Sequence, residues 1–157
     1  MKVMTKTGDQ GSTGVKDARV EKDSSLVDCI GHLDEVMALF IYNQALAPHR
    51  LEEFKARHRE LSLIASIMAG FVDESEFTQS YIDELEAKIK AKADDCHGFM
   101  WPFDDPYRAR LNVLRTVIRR LERVMIRTFK EHQDRPRIRI YMNRLSDYVF
   151  ILMNQID

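Results

Sequence analysis

DPYRARLNVLRTVIRRLERVM, residues 105–125, carries the clearest periodic signal in the chain. Leu111, Leu114, Val117, Ile118, Leu121, Val124 and Met125 recur at steps of three and four, which aligns them along one side of a helix. Asp105 offers a side-chain oxygen to cap the first turn, and Pro106 already has the φ that a first helical residue needs. Pro136 then separates this helix from another, in which Tyr141, Leu145, Tyr148, Val149 and Leu152 share a face.

Three further helices precede this pair. Ser24 or Ser25 caps the first, which sets Val27, Ile30, Met37, Ala38 and Ile41 on one face and ends before Pro48. Pro48 opens the second, with Leu51, Phe54, Leu61, Ile64 and Met68 inward and Gly70 closing it. The third starts near Thr78 and runs through Tyr81, Leu85 and Ile89. Residues 96–106 hold Phe99, Trp101, Phe103 and two prolines, an ordered but irregular linker. Residues 1–23 are different again: Gly8, Gly11 and Gly14 punctuate hydroxyls and lysines without apolar periodicity, so an ordered loop is expected there. No segment alternates as a strand would. The expectation is one all-α domain over residues 1–157, a helical bundle over 24–157 preceded by a loop.

The composition suits that architecture. Of 157 residues, 45% are apolar, enough for a core, and 31% are charged, as on an ordinary soluble surface. No run of 18 apolar residues exists to span a bilayer, and Met1 to Lys6 lack a signal peptide's apolar core, so a cytoplasmic protein is expected. Cys29 and Cys96 are too few for a disulfide framework or a thiolate zinc site. The net charge of -1 conceals two blocks, -7 over residues 73–105 and +8 over residues 108–139. Opposite neighbours of that kind suit antiparallel packing or a subunit interface. Few aromatics interleave with the arginines, which argues against nucleic acid.

Several polar residues stand where a bundle does not require them. Asp34 lies amid the apolar residues of the first helix, and the positions three and four away offer no cation. A carboxylate on such a face needs a partner from elsewhere in the fold or from another chain; the plainer reading is a wet carboxylate at the bundle rim. Arg115, Arg119 and Glu122 flank the stripe of the fourth helix, with Arg123 one step round, and guanidinium forks suit carboxylate or phosphate. A solvated basic face stiffened by local pairs is the alternative. Asn143 and Asp147 lie opposite the apolar face of the fifth helix, where surface polarity would explain them equally well. The glycine loop can present backbone N–H groups to an anion, although it is neither a P-loop nor a dinucleotide fingerprint. The five histidines lack metal-ligand spacing, and Cys96-His97 beside Asp94-Asp95 reads as plain linker. No Glu-x-x-His pair is present for a di-iron bundle, and no serine or cysteine has a recognisable base. Met4, Met37, Met68 and Met125 are expected in the core.

Three stretches taken together resemble one family. They are Thr5-Lys6-Thr7-Gly8-Asp9-Gln10-Gly11-Ser12-Thr13, with Lys22 and Gly31-His32-Leu33-Asp34-Glu35; then Arg115-Thr116-Val117-Ile118-Arg119-Arg120-Leu121-Glu122-Arg123; then Tyr141-Met142-Asn143-Arg144-Leu145-Ser146-Asp147. In content and order they resemble the propanediol-utilisation type of ATP:cob(I)alamin adenosyltransferase, over nearly the whole chain. The resemblance implies a ferritin-like five-helix bundle, assembled as a homotrimer with its sites at subunit interfaces. The reaction implied is transfer of the 5′-deoxyadenosyl group of ATP to the cobalt of a reduced corrinoid, with triphosphate released. Cob(I)alamin is the nucleophile, so the protein needs none of its own.

By motif position, Thr5, Lys6, Thr7, Gly8, Asp9, Gly11, Ser12, Thr13, Gly14 and Lys22 would wrap the triphosphate, with Mg²⁺ held through its oxygens. Arg119, Arg120, Glu122, Arg123 and Asn143 would complete the ATP site from a neighbouring subunit. Asp34 would pair with Arg115 across the interface, and Phe99 would displace the corrinoid's lower axial ligand, favouring a reducible four-coordinate Co(II) state. A reductase and an adenosylcobalamin-dependent enzyme are the further partners implied; no membrane is. Pro102-Phe103-Asp104 departs from the family's Pro-Gly-Gly, Leu26 replaces a frequent arginine, and the sequence stops at Asp157, where many relatives continue. The corrinoid side is therefore expected to be altered, and an ATP-binding sensor or chaperone of a corrinoid enzyme is the alternative function. A helical scaffold whose arginines serve only its oligomer interface is a third possibility.

Overall fold

The computed structural model describes residues 4–96 and 98–155. Five helices form the expected bundle: α1 Ser25–Gln44, α2 Leu51–Met68, α3 Gln79–Lys90, α4 Pro106–Glu131 and α5 Pro136–Asn154. The α4 helix packs on both α1 and α5; α1 also packs on α2, and α5 on α3. The stripe that defined α4 is buried, with Leu111, Leu114, Ile118 and Leu121 fully enclosed. Its start is capped as its sequence requires: the Arg108 N–H donates to Asp105 Oδ1 at 3.0 Å.

The ends of the other helices follow from local chemistry. The Val27 N–H donates to Ser24 Oγ, which makes Ser24 the cap of α1. Pro48 opens a three-residue 3₁₀ turn, Pro48–Arg50, so α2 begins at Leu51. Gly70 ends α2 at φ 82°; its N–H bonds to the Ile67 carbonyl and that of Phe71 to Ser66, a Schellman closure.

The opposite charge blocks meet between helices, as their signs suggested. Arg135 Nη1 donates to Glu74 Oε2 at 2.6 Å; beyond the basic block, Arg144 Nε donates to Glu86 Oε1 at 2.9 Å and joins α5 to α3. A buried cluster lies where α2, α3 and α5 meet. There Arg57 reaches Glu60 at 2.8 Å and Glu84 at 3.0 Å, and the Tyr141 hydroxyl donates to Glu60.

Three expectations are corrected. The face of α1 holding Val27, Ile30, Met37, Ala38 and Ile41 is not the core face; Cys29, Leu33, Val36 and Phe40 are fully buried instead. This helix is apolar on two sides, and the bundle takes the one that α2 and α4 cover. Asp34 is accordingly exposed, on a face where Val27, Ile30 and Met37 are half-buried and Ala38 and Ile41 exposed. Met4 is 70% exposed, because nothing in the glycine loop packs over it. The loop also contains strands, β1 Ser12–Val15 and β2 Ala18–Glu21, paired antiparallel with Val15 opposite Ala18. Asp17, at φ 58°, makes the tight turn between them, and the Lys16 N–H docks the hairpin on the Ala69 carbonyl at 3.1 Å.

Candidate active site

Two groups of polar residues stand apart on the chain. The first is the loop with its hairpin. Arg19 holds it together: one guanidinium donates to the Thr7 carbonyl at 2.6 Å, the Ser12 carbonyl at 3.0 Å and Ser12 Oγ at 2.9 Å. Lys22 Nζ donates to the Gly8 carbonyl at 2.9 Å, and the Lys22 N–H to the Gly11 carbonyl at 2.8 Å. Carbonyl oxygens are thus drawn inward. Among the described residues the N–H groups of Thr7, Gly8 and Gln10 make no hydrogen bond, and Thr5 bonds only the Thr7 hydroxyl. Unpaired N–H groups beside lysines are what an anion requires. Lys6, Asp9, Thr13 and Gly14 belong to the same loop, with Lys6, Asp9 and Gly14 exposed. A Cβ at Gly8 would come within 3.0 Å of Lys22 Nζ, so the lysine's approach depends on that glycine.

Next to the hairpin lies a groove of about 440 Å³, lined by Val15, Ile30, Asp34, Met37, Ala65, Phe71 and their neighbours. It is continuous with the Asp34 face of α1. Asp34 forms no hydrogen bond or ion pair among the described residues and is exposed.

The second group lies on α4 and α5. Arg115 is half-buried; its Nε and Nη2 both donate to Asn112 Oδ1, at 3.1 and 2.8 Å, and its guanidinium stands 5.1 Å from the centre of the Phe99 ring. Burial and the charge of Arg119 push the Arg115 pKa below its ordinary value. No carboxylate of the described chain pairs with it. Arg119 is exposed and its guanidinium forms no hydrogen bond there, while Arg123 donates to the Arg119 carbonyl at 3.1 Å. Glu122 accepts from Asn143 Nδ2 at 3.1 Å, which brings α4 and α5 together at the candidate residues and leaves Glu122 no pair with Arg119. Asp147 stands next to them. Desolvation and Glu122 raise its carboxyl pKa, against the pull of Arg144 and Arg119.

Arg120 belongs to neither group. It makes a two-toothed pair with Glu35, at 2.6 and 2.5 Å, and so holds α4 to α1. Phe99 is exposed on the linker, 5.6 Å from Trp101 and 5.4 Å from Phe150 between ring centres. His97 of the linker lies outside the described residues. Cys29 is buried, which pushes its thiol up to about 12 and removes it as a nucleophile. Sequence reasoning did not single out Arg19. Its position opposite Gly14 in the hairpin was the missing signal.

Comparison with known proteins identifies the family and the fold. A family model described as cobalamin adenosyltransferase matches residues 3–156. The chain is 29% identical over 161 residues to a corrinoid adenosyltransferase of Bacillus subtilis, covering 96% of this chain and 83% of that protein. It is 31% identical over 166 residues to a corrinoid adenosyltransferase of Mycobacterium bovis, covering 96% and 86%. A variant PduO-type ATP:corrinoid adenosyltransferase from Lactobacillus reuteri, solved with cobalamin and ATP, superposes with a TM-score of 0.85 at 25% identity, covering 98% and 92%.

Proposed function

The chain belongs to the cobalamin adenosyltransferase family, and from that premise we propose that it transfers the 5′-deoxyadenosyl group of ATP to the cobalt of a reduced corrinoid. The electron pair of Co(I) forms the Co–C5′ bond while the C5′–O bond breaks, and triphosphate leaves with that bond's electrons. The chain supplies no nucleophile in this scheme. It holds ATP in line with cobalt and stabilises the departing charge.

The division of polar groups into two incomplete sets carries this reading. Thr5 to Asp9, Gly11 to Gly14 and Lys22 receive the triphosphate, with Lys22 exchanging the Gly8 carbonyl for a phosphate oxygen. Arg119, Arg123, Glu122 and Asn143 of a second copy complete the site. Arg120, already engaged by Glu35, is left out of it. Mg²⁺ enters on the phosphates; among the described residues no group of three or more acids, histidines or cysteines is arranged to hold it. Phe99 takes the place of the lower ligand, whose absence makes Co(II) easier to reduce. A cytoplasmic setting, where ATP and a reductase partner are at hand, suits this reaction. Formation of adenosylcobalamin from ATP and chemically reduced cobalamin tests the proposal directly. ATP binding without that product would favour a sensor or chaperone.

A homotrimer is the assembly that suits the two half-sites. Among the described residues Asp34 is exposed without an ion pair, and half-buried Arg115 has Asn112, the Phe99 ring and the like charge of Arg119 beside it but no carboxylate. Light scattering at micromolar concentration is expected to give a mass near three times 18.4 kDa. A stable monomer would remove the basis for a shared site.

The Asp34–Arg115 pair is tested by exchange. Asp34→Asn is expected to reduce turnover more than ATP affinity, because it leaves Arg115 without its countercharge. Asp34→Arg combined with Arg115→Asp should recover part of that loss. Additive damage in the double-mutant cycle would show that the residues do not interact.

A further inference from the structure

We propose that Arg108 is a positioning residue for the acceptor side of the site: it clasps the linker and the end of α5 to the start of α4, and so sets where the Phe99–Trp101 ledge stands. This inference rests on the adenosyl-transfer reading. Among its described residues the linker has few backbone hydrogen bonds of its own. Over residues 96–105 its turns are held by the Cys96 N–H on the Ala93 carbonyl and the Phe103 N–H on the Trp101 carbonyl. Side chains therefore decide its placement.

Arg108 makes three contacts with three different parts of the chain. Its Nε lies 3.3 Å from Asp105 Oδ2, at the linker's end. Its Nη1 lies 3.9 Å from the Met100 sulfur, between the two ledge aromatics. Its Nη2 donates to the Gln155 carbonyl at 2.7 Å, just past α5. Neither flanking element needs this side chain for itself. Asp105 caps α4 through the Arg108 backbone N–H, and the Gln155 side chain has a separate anchor in Arg50 Nη2 at 2.7 Å. What the guanidinium adds is the connection from both to Met100, which is packed against the core. Phe99 is the next residue along, and its ring meets Phe150 of α5 and Arg115 of α4. A shift of Met100 thus moves the ring that faces the corrinoid. Lysine is a poor substitute, because one ammonium cannot span the three contacts of a planar fork.

Two measurements test the assignment. Trp101 is the only tryptophan and is 68% exposed, so its fluorescence reports the ledge alone. Arg108→Ala is expected to change its emission and raise its quenching by acrylamide, whereas Arg137→Ala, far along the chain, leaves both unchanged. In turnover, Arg108→Ala is expected to slow adenosylation started from Co(II) cobalamin with a reductant by about tenfold, the scale of a small misplacement. Transfer to pre-reduced Co(I) should fall less than about twofold on the same reasoning. In a Phe99→Ala background, which itself slows the Co(II) assay, Arg108→Ala should cost nothing more. Unchanged Trp101 quenching, equal loss in both assays, or additive loss with Phe99→Ala would each overturn the positioning role. If the unmodified protein forms no adenosylcobalamin from either cobalt state, the transferase reading fails. The quenching result then still decides whether Arg108 places the ledge.

Discussion

Arg57→Ala is expected to lower the free energy of unfolding by about 3–5 kcal/mol, the cost of breaking a buried ion pair from one side. Arg57 is fully buried and bonded to Glu60 and Glu84, and it stands 5.6 Å over the Tyr148 ring. Removing it leaves Glu60, itself 5% exposed, without its nearest countercharge. Arg57→Met should cost less, because it fills the space, and the Nε and Nη1 that it removes have no hydrogen-bond partner. Urea unfolding at fixed protein concentration measures both. A loss below about 1 kcal/mol would mean that water reaches the cluster. Burial holds the Glu60 carboxyl above its ordinary pKa, in spite of Arg57 and the Tyr141 hydroxyl. The folded state then binds that proton more tightly than the unfolded one. Its contribution is complete below the ordinary carboxylate range and is lost as pH rises through the folded value. Glu60→Gln should flatten that part of the stability profile, and an unaltered profile would show that Glu60 does not titrate in this range.

How much of this was legible in the sequence depends on whether one face of an element was apolar or two. The α4 stripe is buried apart from Val124, which is half-buried. The marked α5 residues Tyr141, Leu145, Tyr148, Val149 and Leu152 are buried too, although α5 also buries Ile138, Met142, Ile151 and Met153, which the spacing did not mark. The α1 helix has two apolar faces, spaced alike, and periodicity alone does not say which one the bundle covers. The misassigned side is the one that bears Asp34. The exposure of Asp34 fits the plainer expectation of a wet carboxylate at the bundle rim, and a partner for it remains part of the proposal. The hairpin was hidden by its size, since four-residue strands containing Gly14 and turned at Lys16-Asp17 give alternation nothing to work on. Arg57 and Glu60 are charged residues three apart on α2, a spacing as common on a solvated face as inside. Only the arrival of Glu84 and Tyr141 from other helices makes them interior. The charge blocks do meet, in Arg135 with Glu74, a contact that depends on sign and neighbouring elements alone. The residues proposed for the nucleotide come from the family resemblance, whereas Arg19 and Arg108 are set apart by contacts with residues as far as 12 and 47 positions away.

Arg119→Ala is expected to weaken ATP binding by about 1.5–3 kcal/mol, roughly ten- to a hundredfold, as removal of a charge-assisted hydrogen bond does. The structure singles out this arginine among its neighbours by what they are already doing. Arg120 is held by Glu35, Arg115 by Asn112, and Glu122 by Asn143, so none of them competes for Arg119 or neutralises it. Its guanidinium is exposed, and Asp147 next to it has a raised carboxyl pKa and so a reduced pull at low pH. The substitution should leave stability within about 0.5 kcal/mol, which separates lost binding from lost folding. Arg119→Lys should recover only part of the affinity, because a lysine offers charge without the fork. The loop provides the second readout. Thr7, Gly8 and Gln10 have free N–H groups, so their exchange with solvent should be fast in the absence of ligand and slow on addition of ATP with Mg²⁺. In Arg119→Ala that slowing should appear only at correspondingly higher ATP. Isothermal titration and amide exchange give the two numbers independently. Indifference of both to Arg119 would take the α4 arginines out of the nucleotide site and leave the glycine loop without its second half.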